Sequence, residues 1–126
     1  MKVIDGKVVM DLREKRCLFT RFMADLITWV DAHPGWELAF GEGYVAQTDA
    51  ANGDYDGPHK QGGAHYTGLG HDMILYVNGD WITDSGHPVW TVIGVRGEGR
   101  HELCRWGGRF ASPDANHFSF EWEGVR

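Results

Sequence analysis

Histidines and carboxylates gather in two short runs of this 126-residue chain. HYTGLGHD sets His65 and Asp72 seven residues apart, and DANH sets Asp114 and His117 three apart. Imidazole nitrogen and carboxylate oxygen both ligate zinc well, and three protein ligands with a fourth position open to water make a catalytic rather than a structural site. Zinc brings the pKa of such a water toward neutrality, and a nearby carboxylate can take its proton as the water attacks a carbonyl. The chemistry on offer is hydrolysis of an amide. The remaining histidines read more plainly. His33, His59, His87 and His101 suit surface or hydrogen-bonded positions, and His71 should face the opposite side of a strand from Asp72.

These residues need a scaffold, and the apolar pattern outlines one. Leu18, Phe22, Leu26 and Val30 recur at helical spacing, with Phe19, Met23 and Ile27 widening the stripe. The helix should run from about Leu12 to Ala32 and stop before His33-Pro34-Gly35. Ahead of it, VIDGKVVM suits a small hairpin or an extended arm. Trp36 to Phe40 reads as a strand, and GEGYVAQTDAANGDYDGPHKQGGAH as a long loop bordering the active site. Leu69 to Val77 is a strand, Asn78-Gly79 a two-residue hairpin turn and Trp81-Ile82 the returning strand. Pro88 to Val95 suits a short helix, with Pro88 near its first turn and Gly97 after its end. Asn116 to Trp122 alternates as a strand, His117, Ser119 and Glu121 on one face and Phe118, Phe120 and Trp122 on the other. The expected fold class is α+β in a single domain over residues 1–126. A long N-terminal helix and a short second helix would pack on a small antiparallel sheet that carries the metal ligands, with the cleft opening on the loop at 41–64.

Composition sets the bounds. With 42% hydrophobic and 13% aromatic residues the chain can build a core without disulfides. Its six tryptophans should be shared between that core and a binding groove. A formal net charge of -6 argues against nucleic-acid binding, which needs a basic face. Cys17 and Cys104 match no CxxC pattern and suit free, buried thiols. The start MKVIDGKVVMDLREKR does not read as a signal peptide, and no apolar run approaches the roughly 20 residues that span a bilayer. Synthesis in the cytoplasm without membrane insertion is the expectation.

HYTGLGHD, followed by WGGRF and then DANHF, resembles the peptidase M15 family of zinc peptidases. That family includes the D-alanyl-D-alanine carboxypeptidases and dipeptidases and the L-alanyl-D-glutamate endopeptidases that bacteriophages use as endolysins. Its pattern is SxHxxGxAxD, then an acid three residues before a final histidine. His65, Gly68 and Asp72 fall in register with the first part, and Asp114 and His117 with the second. The resemblance implies that His65, Asp72 and His117 bind Zn2+, and that Asp114 activates the water and passes its proton to the leaving amine. It also implies that Gly68 lets the loop approach the strand. CRWGGRFASPDANHF is especially similar to the compact phage branch. The resemblance spans Leu18 to Trp122, its motifs confined to Gly63–Asp72 and Trp106–Phe118.

Gly63 and Gly70 stand where the family has serine and alanine, small residues in each case. Val45 stands where members carry an arginine that grips a substrate carboxylate or polarises the scissile carbonyl. Arg96, Arg100, Arg105, Arg109, Lys60 or Gln61 could replace it, and Gln61, Arg105, Trp106 and Arg109 are the candidate substrate contacts. The resemblance thus implies a phage or prophage endolysin that cleaves L-alanyl-D-glutamate bonds of the bacterial peptidoglycan peptide after release from the host cytoplasm, and a monomer is the expectation. A D-alanyl-D-alanine carboxypeptidase or dipeptidase is the alternative, disfavoured because it must hold a terminal carboxylate. A non-catalytic, zinc-stabilised wall-binding or virion protein is the other, and it leaves Asp114 without a purpose.

Overall fold

Asp11 opens the first long element by accepting a hydrogen bond from Glu14 N at 2.8 Å, a side-chain cap on helix α1 (Leu12–Asp31). The computed structural model describes residues 2–43 and 64–122. Val45, His59, Lys60, Gln61 and Gly63 lie outside the described residues. Before α1, β1 (Lys2–Ile4) and β2 (Lys7–Val9) form the hairpin that was one of two readings, turning at Asp5 and Gly6, both with positive φ. Phe19, Met23, Leu26 and Val30 are the buried line of α1, and Leu18, Phe22 and Ile27 pack alongside.

The fold is α+β, and its main sheet is antiparallel throughout. Strands β3 (Trp36–Phe40), β4 (Gly70–Val77), β5 (Asp80–Ile82), β6 (Cys104–Trp106) and β7 (His117–Phe120) run in the order β3-β4-β7-β6, with β5 added to β4. β3 covers one edge of β4, while β7 and then β5 share the other. Asp72 stands opposite His117, and Leu75 opposite Ile82. The partner strand therefore changes between them, at Met73 and Ile74. Along β4, Met73 and Leu75 are buried in the core, and Asp72, Ile74 and Tyr76 are turned to the other face.

Helix α1 and α3 (Pro88–Glu98) contribute Leu26, Val30, Trp90 and Ile93 to the core shared with Phe118 and Phe120. A one-turn helix, α2 (Ala64–Thr67), precedes β4. Pro88 sits in the first turn of α3 as expected, and His87 Nδ1 accepts from Val89 N at 3.1 Å to cap it. Gly97 does not follow the helix but lies within it, where a Cβ would stand 3.0 Å from the Phe118 ring. The helix ends at Gly99 instead. β6 has no sequence counterpart among the expectations, because three residues are too few for a period to show. Both cysteines are free, but only Cys104 is buried, since Cys17 is exposed. Among the described residues no helix is long and apolar enough to cross a membrane.

Trp106 locks α3 to the sheet. Its indole N–H is donated to Ala115 O at 2.7 Å, and its ring fills the space a Cβ on Gly94 would need. Gly94→Ala should therefore lower stability by about 1–3 kcal/mol, although alanine is the better helix former. A urea midpoint equal to or above that of the parent protein would contradict this packing.

Candidate metal centre

Glycines bring the two clusters together. Gly68, with φ +75°, ends α2, and Leu69 N donates to Ala64 O at 3.0 Å. A Cβ on Gly70 would stand 2.9 Å from Ala64 Cβ and 3.0 Å from His65 N. The turn thus rests directly on the strand and carries His65 over the face that presents Asp72 and His117. Close approach is the task of Gly70, and Gly68 supplies the left-handed turn, which revises the expectation for Gly68.

On the other side, Gly107 O accepts from Asp114 N at 2.9 Å, and Asp114 O accepts from His117 N at 3.1 Å. A side chain on Gly107 would overlap Asp114 O and approach His117 Cβ at 2.8 Å. The WGG run is therefore the bed on which the Asp114–His117 turn lies. Trp106 itself is only 5% exposed. Its expected place among substrate contacts is corrected to one in the core, where it supports this turn from beneath.

Three acceptor atoms meet at the centre. His65 Nε2 lies 3.3 Å from Asp72 Oδ1 and 3.3 Å from His117 Nδ1, and His117 Nδ1 lies 3.1 Å from Asp72 Oδ1. His65 and His117 are 4% and 5% exposed. His65 Nδ1 donates to Gly43 O at 2.7 Å, since a carbonyl can only accept. Neutral His65 therefore carries its proton on Nδ1 and presents the Nε2 lone pair to the site, the tautomer a metal requires. That lone pair faces the carboxylate oxygen of Asp72 with no proton between them. A cation would turn this repulsion into attraction.

The spacing suits one. Ligand bonds of roughly 2.0–2.1 Å in a tetrahedral arrangement place donor atoms about 3.3–3.4 Å apart. With Nδ1 of His117 given to the metal, its Nε2 bears the proton, and that buried atom has no hydrogen-bond partner among the described residues. Burial works against charge on His65, but once Nε2 is protonated it can donate to Asp72, and this bond, the one to Gly43 and the charges of Asp72 and Glu42 outweigh burial and raise its pKa. Burial also opposes ionisation of Asp72, yet the hydrogen bonds and positive charge that His117 and His65 offer it when protonated hold its carboxyl well below the usual range. The pocket holds a fixed negative charge beside imidazole nitrogens that can receive a cation.

The other candidates are placed differently. Asp114 lines an open cleft of about 200 Å³ with Met73, Ile74, Trp81, Ile82, Thr83, Ser85, Trp90 and Asn116. Arg105 pairs with Glu121 at 3.1 Å, beyond Ser119 and away from His117. Arg109 pairs with Glu98 at 2.7 Å and lies over the Trp106 ring. Arg100 pairs with Asp25, and Arg96 lies over the ring of Trp29. Gln61 is outside the described residues. His71 meets the edge of Phe40 rather than the acceptor cluster, as its alternation with Asp72 implied. Gly43 was missed because its part is played by a backbone carbonyl, which leaves no mark in side-chain type. Trp81 and the cleft beside it were missed because they arise where β4 changes partners.

No family model matches the chain, and no curated protein matches it. Among solved structures it is similar to the L-Ala D-Glu endopeptidase ChiX of Serratia marcescens, with a TM-score of 0.60 and 16% sequence identity over 87% of this chain and 83% of that one. The likeness is one of fold.

Metal binding should follow the protonation of His65. Its pKa is raised above the ordinary imidazole value by Asp72, Gly43 and Glu42, so protons compete for Nε2 as pH falls, while Asp72 remains ionised. Zinc affinity measured by calorimetry should be steady at alkaline pH and fall about tenfold or more per pH unit on the acid side. Equal affinity at about pH 8 and pH 5 would contradict the ligand set.

Proposed function

We propose that this chain is a zinc-dependent peptidase of the bacterial cell wall that cleaves the L-alanyl-D-glutamate bond of the peptidoglycan peptide. The observation that carries the proposal is the buried triangle of His65 Nε2, Asp72 Oδ1 and His117 Nδ1, three acceptors that lie 3.1–3.3 Å apart. Two imidazoles and one carboxylate form a three-ligand set of the catalytic zinc type, which leaves a fourth position for water. The fold similarity to an L-Ala D-Glu endopeptidase supports the choice of bond.

Zinc, when bound, supplies a Lewis acid and brings water into the range where a carboxylate can deprotonate it. The chain's own residues do the rest. Asp114 belongs to the turn that delivers His117 and lines the adjoining cleft. It takes the proton of the attacking water and gives it to the departing nitrogen, so that the C–N bond breaks to a carboxyl group and a neutral amine rather than an amide anion. Gly43 O keeps His65 in one tautomer and orientation throughout.

An endopeptidase fits better than a D-alanyl-D-alanine carboxypeptidase. The latter must grip a terminal carboxylate, and Arg96, Arg100, Arg105 and Arg109 are each engaged with a partner of their own. A phage or prophage endolysin that reaches the wall after release from its host is the setting in which we place the activity.

Mass spectrometry of purified peptidoglycan after incubation tests the reading. A new D-glutamate amino terminus that disappears with a chelator is expected, whereas released D-alanine would move the activity to the carboxypeptidase class. Asp114→Ala should retain one zinc per chain and lose activity by about 10²–10⁴-fold. Undiminished hydrolysis by this variant would remove Asp114 from the mechanism.

A further inference from the structure

Beyond Asp72 the outer face of β4 continues toward β5. Asp72, Ile74 and Tyr76 share the outer face of β4, and Trp81 lies opposite Tyr76 on β5. Trp81 is 65% exposed, a large aromatic surface left to solvent beside a candidate site. The cleft it lines occupies the notch where β7 leaves β4 and β5 has yet to join it. Asn116 closes one wall, its carbonyl accepting from Met73 N at 2.9 Å. Ser85 bridges to that wall by accepting from Ala115 N at 3.1 Å, which leaves its hydroxyl proton available to donate.

The chemistry of the lining selects an occupant. Among the described lining residues there is no lysine or arginine, and the one carboxylate, Asp114, is assigned to the water. A charged portion of substrate would find no counter-ion there and would lose hydration on entry. What the cleft offers is an indole face with a rim of neutral hydrogen-bonding groups from Thr83, Ser85 and Asn116. A pyranose has the matching character, with one face of C–H groups and a rim of hydroxyls and an amide. In peptidoglycan the glutamate and diamino-acid side of the scissile bond is charged, whereas the amino-sugar side is neutral once its lactyl carboxyl is joined to alanine.

We propose that this cleft holds the N-acetylated amino sugar that bears the peptide stem, with Trp81 stacked on its C–H face as a positioning residue. The proposal rests on the peptidoglycan reading above and adds that the enzyme cuts stems still attached to glycan. The lengths agree. Alanine and the lactyl unit place the sugar ring roughly 7 Å from the bond that is cut, at about 3.3–3.6 Å per extended unit. Ile74 lies two residues and Tyr76 four residues from Asp72, or about 7 Å and 13 Å at the rise of a strand. A ring that begins above Ile74 therefore reaches the Trp81–Tyr76 pair.

The test compares two soluble substrates for the zinc-loaded chain, a disaccharide-tetrapeptide and the same tetrapeptide with its alanine amine acetylated, so that both are uncharged at that end. The parent protein should prefer the sugar-bearing substrate by about tenfold in kcat/KM, which is the order of one good aromatic contact. Trp81→Ala should reduce that ratio to about one through KM, and Trp81→Phe should restore part of it. No preference in the parent, or an equal loss on both substrates through kcat, would overturn the proposal. If neither substrate is cut, the peptidase reading fails separately, and the sugar site is judged by nuclear magnetic resonance with the disaccharide alone. A shift of the Trp81 indole N–H signal, identified by its loss in Trp81→Phe, is then expected, and its absence would overturn the site.

Discussion

The hydrogen bond from His65 Nδ1 to the Gly43 carbonyl decides what the imidazole can do on its other side. It places the proton of the neutral ring away from the centre, so that a lone pair faces Asp72 and His117 at contact distance. Such an arrangement is unfavourable in an apolar setting unless a cation completes it, because each buried acceptor has left water behind. The rest of the structure can be understood as the means of holding this otherwise repulsive set in place. The sheet register sets Asp72 beside His117, and a one-turn helix lays His65 over both.

That placement explains where the chain uses glycine. The helix turn can rest on β4 only because Gly70 has no side chain, and the turn of Asp114 can rest on the WGG run only because Gly107 has none. Trp106 sits beneath, wedged against Gly94 and Gly108 and tied to Ala115 O, and transmits the rigidity of the core to the loop that carries His117. A metal site needs its ligands fixed before the ion arrives, since ordering them during binding would subtract from affinity. The small residues and the buried indole are thus part of the site, although they touch no ligand.

Much of this was legible from the amino-acid sequence. The 3.6-residue stripe of α1, the Asn78-Gly79 hairpin and the alternation around His117 are local signals, and the structure bears them out. The gathering of His65, Asp72 and His117 was legible as well, through ligand chemistry and the motifs that resemble zinc peptidases. What was not legible depends on pairings distant in the chain. β6 is too short to show a period, the smallness of Gly97 serves Phe118 rather than a helix end, and Trp106 belongs to the core rather than to a groove. The notch beside Trp81 follows from β7 and β5 sharing one edge of β4, which no single segment announces.

The most direct test of the central claim is the anomalous X-ray scattering of zinc in crystals of the zinc-saturated protein. The account predicts one ion per chain, bonded to His65 Nε2, Asp72 Oδ1 and His117 Nδ1 at roughly 2.0–2.2 Å. Zinc bound by other residues, with these three side chains still in contact and no ion among them, would contradict it.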